Sequence, residues 1–217
     1  MSKLLVSTTV QPIPVGRAFA PLWAALVQPA ATFGQLTASA YGQVWLPLGG
    51  ALLAFYLHTF VLVALQSAAL DWRFAGGVIN ILVGWPLRML LLAALTRLLQ
   101  GRPAFGPLLW LSAWATLPLT LRSAGQTLYL LITGHPVAQP GLAGLPAGAD
   151  TALPLVKLGY FVLGWIDLFT LWHLALLVLA VRIGAAVSMG KGCLIVMFYS
   201  IVIALLYTFL FFTLPNR

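Results

Sequence analysis

From Trp45 to Leu70 the chain carries no charged side chain, and four later stretches are almost as bare. The hydrocarbon core of a bilayer is about 30 Å thick and is crossed by about 20 apolar residues in a helix. These later stretches are about Phe74–Leu99, with Arg88 inside; Ala104–Ile132, with Arg122 inside; Pro154–Val181, with Lys157 at its start and Asp167 inside; and Leu194–Leu214. Each is too long for a lipid-spanning strand and lacks the period-two alternation of one. A backbone crossing lipid must satisfy its own polar groups, so the runs read as helices. The expected fold is all-α and polytopic: spans at about 45–70, 74–99, 104–132, 154–181 and 194–214, preceded by a tail (1–16) and an amphipathic segment (17–40).

Composition closes off the soluble alternatives. Of 217 residues 62% are hydrophobic and 6% charged, against about 25% charged in soluble domains. There is no Glu, and the only acids are Asp71, Asp150 and Asp167, so paired-carboxylate chemistry has almost no material. Cys193 stands alone, which excludes an internal disulfide or a multi-cysteine metal site. No nucleophile elbow, zinc-protease, phosphate-loop or dinucleotide signature is present. The chain is not expected to be an enzyme. Its net charge of +8 comes from 11 basic residues set singly between apolar runs, a pattern of membrane topology and not of nucleic-acid binding.

Phe19, Leu22, Trp23, Leu26 and Val27 share one helix face ahead of Pro29. That segment reads as an interfacial amphipathic helix, or alternatively as one packed on the bundle. Nothing before Arg17 has the apolar core of a signal peptide, so the N-terminus is expected to be retained. With that end in the cytoplasm, the same side receives Lys3, Arg17, Arg97, Arg102, Arg182 and Lys191, and the opposite side Arg73, Lys157 and Arg217. The excess inside places the C-terminus outside. The long loop, about Thr133–Leu153, is rich in Gly, Pro and Ala and is expected to lack a helix of its own.

Charged groups inside a span need partners or a water path. Counted from the outer ends of their spans at about 1.5 Å per residue, Asp167 lies roughly 20 Å deep, Arg122 roughly 15 Å and Arg88 roughly 21 Å. All three are expected near the midplane, where either arginine is a candidate mate for Asp167. Asn80 leads towards Arg88 on its helix, and Ser112, Thr116 and Thr120 lead towards Arg122 and Gln126 on theirs. A functional reading of Arg88, Arg122, Asp167, Asn80 and Gln126 is an ion or proton path or a site for a substrate carboxylate. The plainer reading is a buried Arg–Asp pair that fixes helix register. His58 and His173 are candidates for haem ligation, or for hydrogen bonds between helices. No metal site or cofactor is expected beyond lipid, with haem or a pigment as the minor alternative.

Several phrases share an order with a known family. They are QPAATF (Gln28–Phe33), VWLPL (Val44–Leu48), LLQGRPAFGPLLWLSAWATLP (Leu98–Pro118) and IDLFTLWHLALL (Ile166–Leu177). Over about residues 25–213 the chain resembles the Yip domain family, five-span proteins named for interaction with Ypt/Rab GTPases and widespread in bacteria. The sequence departs from that pattern at Val178–Val181, where a Gly is expected. The resemblance implies a five-helix bundle with a cytoplasmic N-terminus. It carries no mechanism, and GTPase binding is not expected, because only about 16 residues precede the amphipathic segment. The function expected from all of this is a non-catalytic accessory, scaffold or assembly subunit of the bacterial inner membrane. Its partners would be lipids and other integral membrane subunits. The alternatives are a small transporter or ion conductor and a haem- or pigment-binding subunit.

Overall fold

A computed structural model describes residues 23–38, 45–66, 79–99, 101–103, 105–137, 141–144, 156, 159, 163–164 and 166–213. Among them there is no strand. The helices are α1 (Pro29–Ala38), α2 (Trp45–Gln66), a π-helical turn (Asn80–Gly84) running into α3 (Trp85–Leu98), α4 (Phe105–Ala115), α5 (Leu117–Thr133), α6 (Leu168–Gly184) and α7 (Met189–Thr213). Three are long and apolar enough to cross a membrane, over Pro47–Leu65, Ile81–Leu98 and Met189–Leu206. This is the constitution of a helical membrane protein.

The hub is α6, against which α1, α4, α5 and α7 all pack, while α2 lies along α5 and α3 along α7 and α4. Leu92, Leu108, Leu111, Trp114, Leu177 and Ile195 are sealed in the contact between these helices. At Gly184 the backbones of α6 and α4 come close: a Cβ there would stand 3.2 Å from the Cα and N of Leu108. The turns after α3 and α6 are joined at this end by the Arg102 N–H, which donates to Ala185 O at 3.4 Å. In α2, by contrast, Leu53, Leu57 and Phe60 form an exposed stripe at i, i+4 and i+7, the face a spanning helix turns to lipid.

Four local features differ from the sequence expectation. The run 104–132 is not one helix but α4 and α5, broken at Thr116. Pro118 has no N–H to continue the ladder. The Thr116 and Leu119 N–H groups turn instead to Ala113 O and Thr116 O, three residues back. The run 154–181 does not carry Asp167 inside its final helix. Asp167 is extended (φ −139°, ψ 169°) and caps α6 by accepting the Thr170 N–H. The last helix begins at Met189, earlier than Leu194, because Ser188 starts it: its carbonyl accepts the Gly192 N–H at 2.9 Å and its hydroxyl the Lys191 N–H at 3.4 Å. Among its described residues the loop at 133–153 holds a 3₁₀ turn, Gly141–Gly144. Gly141 at φ +63° would, with a Cβ, meet the carbonyls of Leu163, Gly164 and Ile166 at 2.8 Å, so only glycine fits.

The tail 1–16 and residues 17–22 and 39–40 lie outside the described residues. Within the amphipathic segment the chain is helical at 23–27, bends at Gln28 and continues as α1. Ala25 and Phe33 are fully buried in the core. Of the apolar stripe read from the sequence, Trp23 and Val27 are exposed and Leu26 is partly buried against the core.

Candidate intramembrane polar site

The break at Pro118 and the start of α6 create the polar centre. Arg122, five residues into α5, donates from Nη1 to Asp167 Oδ2 at 2.6 Å and to Thr170 Oγ1 at 3.4 Å. The other Asp167 oxygen, Oδ1, accepts the Thr170 N–H at 2.7 Å. One carboxylate therefore performs two tasks, capping the positive end of α6 and binding the cation of α5. The Arg122 Nε–H is buried without a hydrogen-bond partner among the described residues. Arg122, Gln126, Tyr129, Val137, Gly141 and Asp167 line an open cleft of about 290 Å³ at this level.

Arg88 does not join that pair; Asp167 bonds Arg122 and Thr170. The levels explain this. Seventeen residues of α6 at about 1.5 Å each put Asp167 about 25 Å from the turn that follows Gly184. Arg122 is about as far from the start of α4, whereas Arg88 stands only about 15 Å from Leu98. Arg88 donates its Nε–H to Gly84 O at 3.1 Å and lines a second cleft of about 250 Å³. Leu48, Ala51 and Phe55 of α2 form one wall, Ile81, Trp85 and Arg88 another, and Thr116, Leu119, Thr120 and Ser123 the third. The side chain of Asn80 lies outside the described part of the chain; its backbone opens the π turn.

The histidines bridge helices. His173 Nδ1 donates to Ala115 O at 2.7 Å. That carbonyl is released because the Leu119 N–H has turned to Thr116 O. A proline break in an apolar medium requires such a substitute donor. His173 also lies within electrostatic reach of both Arg88 and Arg122. His58 Nδ1 meets Thr127 Oγ1 at 3.1 Å, and that hydroxyl donates to Ser123 O at 2.8 Å. With its one proton committed, Thr127 accepts, and His58 Nδ1 is the donor. No group of three or more His, Cys, Asp or Glu able to hold a metal occurs among the described residues.

Sequence reasoning missed Thr170 and Thr127, which complete these bonds, and the Trp85 Nε1–H to Ser112 Oγ bond at 3.2 Å. An Asp immediately ahead of an apolar run is a helix-start signal; expected instead inside a span, Asp167 caps α6. Nothing in the sequence paired Trp85 with Ser112. Phenylalanine at His173 should leave Ala115 O unsatisfied and lower stability by about 1–3 kcal/mol. Glutamine, which keeps a donor, should recover part of the loss, as read by thermal unfolding in detergent. Comparison of the chain with family models, with curated proteins and with solved structures finds no match.

Proposed function

We propose that the chain is a non-catalytic, multi-pass protein of the bacterial inner membrane that acts as an accessory or assembly subunit. The observation that carries this reading is how its reactive groups are used. Asp167, His58 and His173 are each engaged in a bond that holds one helix to another or starts a helix. Chemistry at these groups would cost the bundle its alignment, so function falls to the surfaces. In this reading α2, the π turn with α3, the α4–α5 pair, α6 with the helical residues before it, and α7 are five spans. The N-terminus is cytoplasmic and the C-terminus outside, as the basic residues and the resemblance to the Yip domain family imply. Purification in mild detergent from the native membrane, with native mass spectrometry and an absorption spectrum of the same peak, tests the reading. A second protein at fixed stoichiometry is expected. A lone chain overturns the subunit role, and a haem or pigment band replaces it with the carrier alternative.

A second reading, a small transporter, is favoured by one feature: two helices depart from α-geometry beside the same cleft, at Asn80–Gly84 and at Thr116. Interrupted helices around a polar site at mid-depth are the usual construction of secondary transporters. Proton-coupled flux in reconstituted vesicles that disappears in Asp167→Asn would establish it over the subunit reading.

A further inference from the structure

Four cations gather at one end of the bundle. Arg97 lies in the last turn of α3, Arg102 in the turn that follows, Arg182 in the last turn of α6 and Lys191 in the first turn of α7. The connecting turns touch. The Arg102 N–H donates to Ala185 O at 3.4 Å. A Cβ on Gly101 would stand 3.0 Å from Val187 Cγ1, and one on Gly192 would stand 4.0 Å from Arg182 Cβ. All four basic residues are exposed, and among the described residues their side chains form no ion pair or hydrogen bond. The one acid among those residues, Asp167, caps the opposite end of α6. The helix dipole favours a cation in a last turn, as at Arg97 and Arg182, but opposes one in a first turn, where Lys191 stands. Helix ends therefore do not account for the set.

Two of these cations also terminate exposed apolar stripes. On α3, Leu87, Leu90, Ala94 and Arg97 recur at i, i+3, i+7 and i+10, all exposed. On α7, Lys191, Leu194, Phe198, Ile201 and Leu205 recur at i, i+3, i+7, i+10 and i+14, again all exposed. Such steps keep to one helix face. The two helices pack on one another, and packed helices stand about 8–10 Å apart. The apolar run of one ends at Leu98 and that of the other begins at Met189, so Arg97 and Lys191 fall at the head-group boundary of a membrane with the stripes running inward from them. We propose that this end of α3 and α7 binds a phospholipid with two phosphates, a cardiolipin. One phosphate lies towards Arg97 and the other towards Lys191, with acyl chains along the two stripes. Arg102 and Arg182 strengthen the positive field from the turns behind. A lipid with one phosphate leaves the cation of one helix unmatched, and a soluble anion makes no use of the stripes. Basic sites between helices at the membrane boundary are a known setting for such head groups.

The test uses the purified full chain in phosphatidylcholine nanodiscs, with tetraoleoyl cardiolipin or dioleoyl phosphatidylglycerol added at equal phosphate. Native mass spectrometry is expected to show one cardiolipin retained per chain, bound at least fivefold more tightly than phosphatidylglycerol, and cardiolipin is expected to raise the melting temperature. Arg97→Gln combined with Lys191→Gln should remove the preference. Arg97→Lys combined with Lys191→Arg keeps both charges and should preserve it. If the neutral pair does not fold, the comparison of the two lipids on the native chain decides the matter. Equal binding of the two lipids by the native chain, or an undiminished preference in the neutral pair, overturns the proposal. So does displacement of cardiolipin by pyrophosphate at equal concentration, which would assign the cations to soluble anions. The proposal rests on the membrane location and not on the subunit role, because co-purification of a partner protein does not enter into the test.

Discussion

Alanine at Asp167 is expected to destabilise the bundle by about 3–4 kcal/mol, more than any other truncation of a single polar side chain. Two losses combine. Removing one partner of a fully buried ion pair costs about 3–5 kcal/mol, because the remaining charge stays desolvated. Here the side chains are 32% and 14% exposed for Arg122 and Asp167, so water screens part of that and about 2–3 kcal/mol remains. The lost cap of α6 adds about 1 kcal/mol. Asparagine separates the two contributions, since it still accepts the Thr170 N–H and gives up only the charge. Asp167→Asn should therefore cost about 2 kcal/mol. Exchanging the pair, Arg122→Asp with Asp167→Arg, should not restore stability, because arginine has no acceptor for the Thr170 N–H. Titration with SDS, followed by circular dichroism, measures all three. Full rescue by the exchange would show that the cap contributes nothing.

Leucine at Gly184 should cost about 3 kcal/mol or more, through packing alone. The first added carbon already stands 3.2 Å from the Leu108 backbone, and a main chain cannot rotate aside as a side chain can. Leu108, Leu111 and Leu177 are fully buried beside this crossing, so displaced volume has nowhere to go. Forcing α4 and α6 apart also strains the Arg102–Ala185 bond between the turns. The same substitution at Gly190, where a Cβ would meet nothing within 4 Å, should have little effect. The ratio of the two melting shifts in one detergent is the measurement.

How much of this was legible follows from what each signal depends on. Apolar length is a property of the chain, so spans at about 45–70, 74–99 and 194–214 could be read directly, where the structure has helices over Trp45–Gln66, Asn80–Leu98 and Met189–Thr213. Arg122 and Asp167 were recognisable because a lone charge in an apolar run needs a partner wherever the run folds. Their depth was not legible. It depended on treating 154–181 as one helix, and the start of α6 at Leu168 moves Asp167 to the far end of that helix. Pro118 stands within a third run that reads as one continuous span, and the fold shows both the break it makes and the donor that His173 supplies. The π turn has no sequence signature here, and with it the cleft at Arg88 was hidden. Serine and threonine at four-residue steps looked like one stripe leading to Arg122. In the structure Ser112 serves Trp85, and Thr116 and Thr120 face the Arg88 cleft.

The pairing of Arg122 with Asp167 has a consequence for how the protein is made. The two residues are 45 positions apart, and a ribosome adds about 5–20 residues per second. For about 2–9 s after Arg122 is synthesised, its mate does not yet exist. During that interval α5 carries an unmatched cation and a proline break whose substitute donor, His173, is later still. In the five-span reading proposed above, a lone arginine at the middle of a helix costs about 2.5–3.5 kcal/mol on insertion, so α5 is expected to integrate less completely in a chain cut before Asp167 than in one that includes α6.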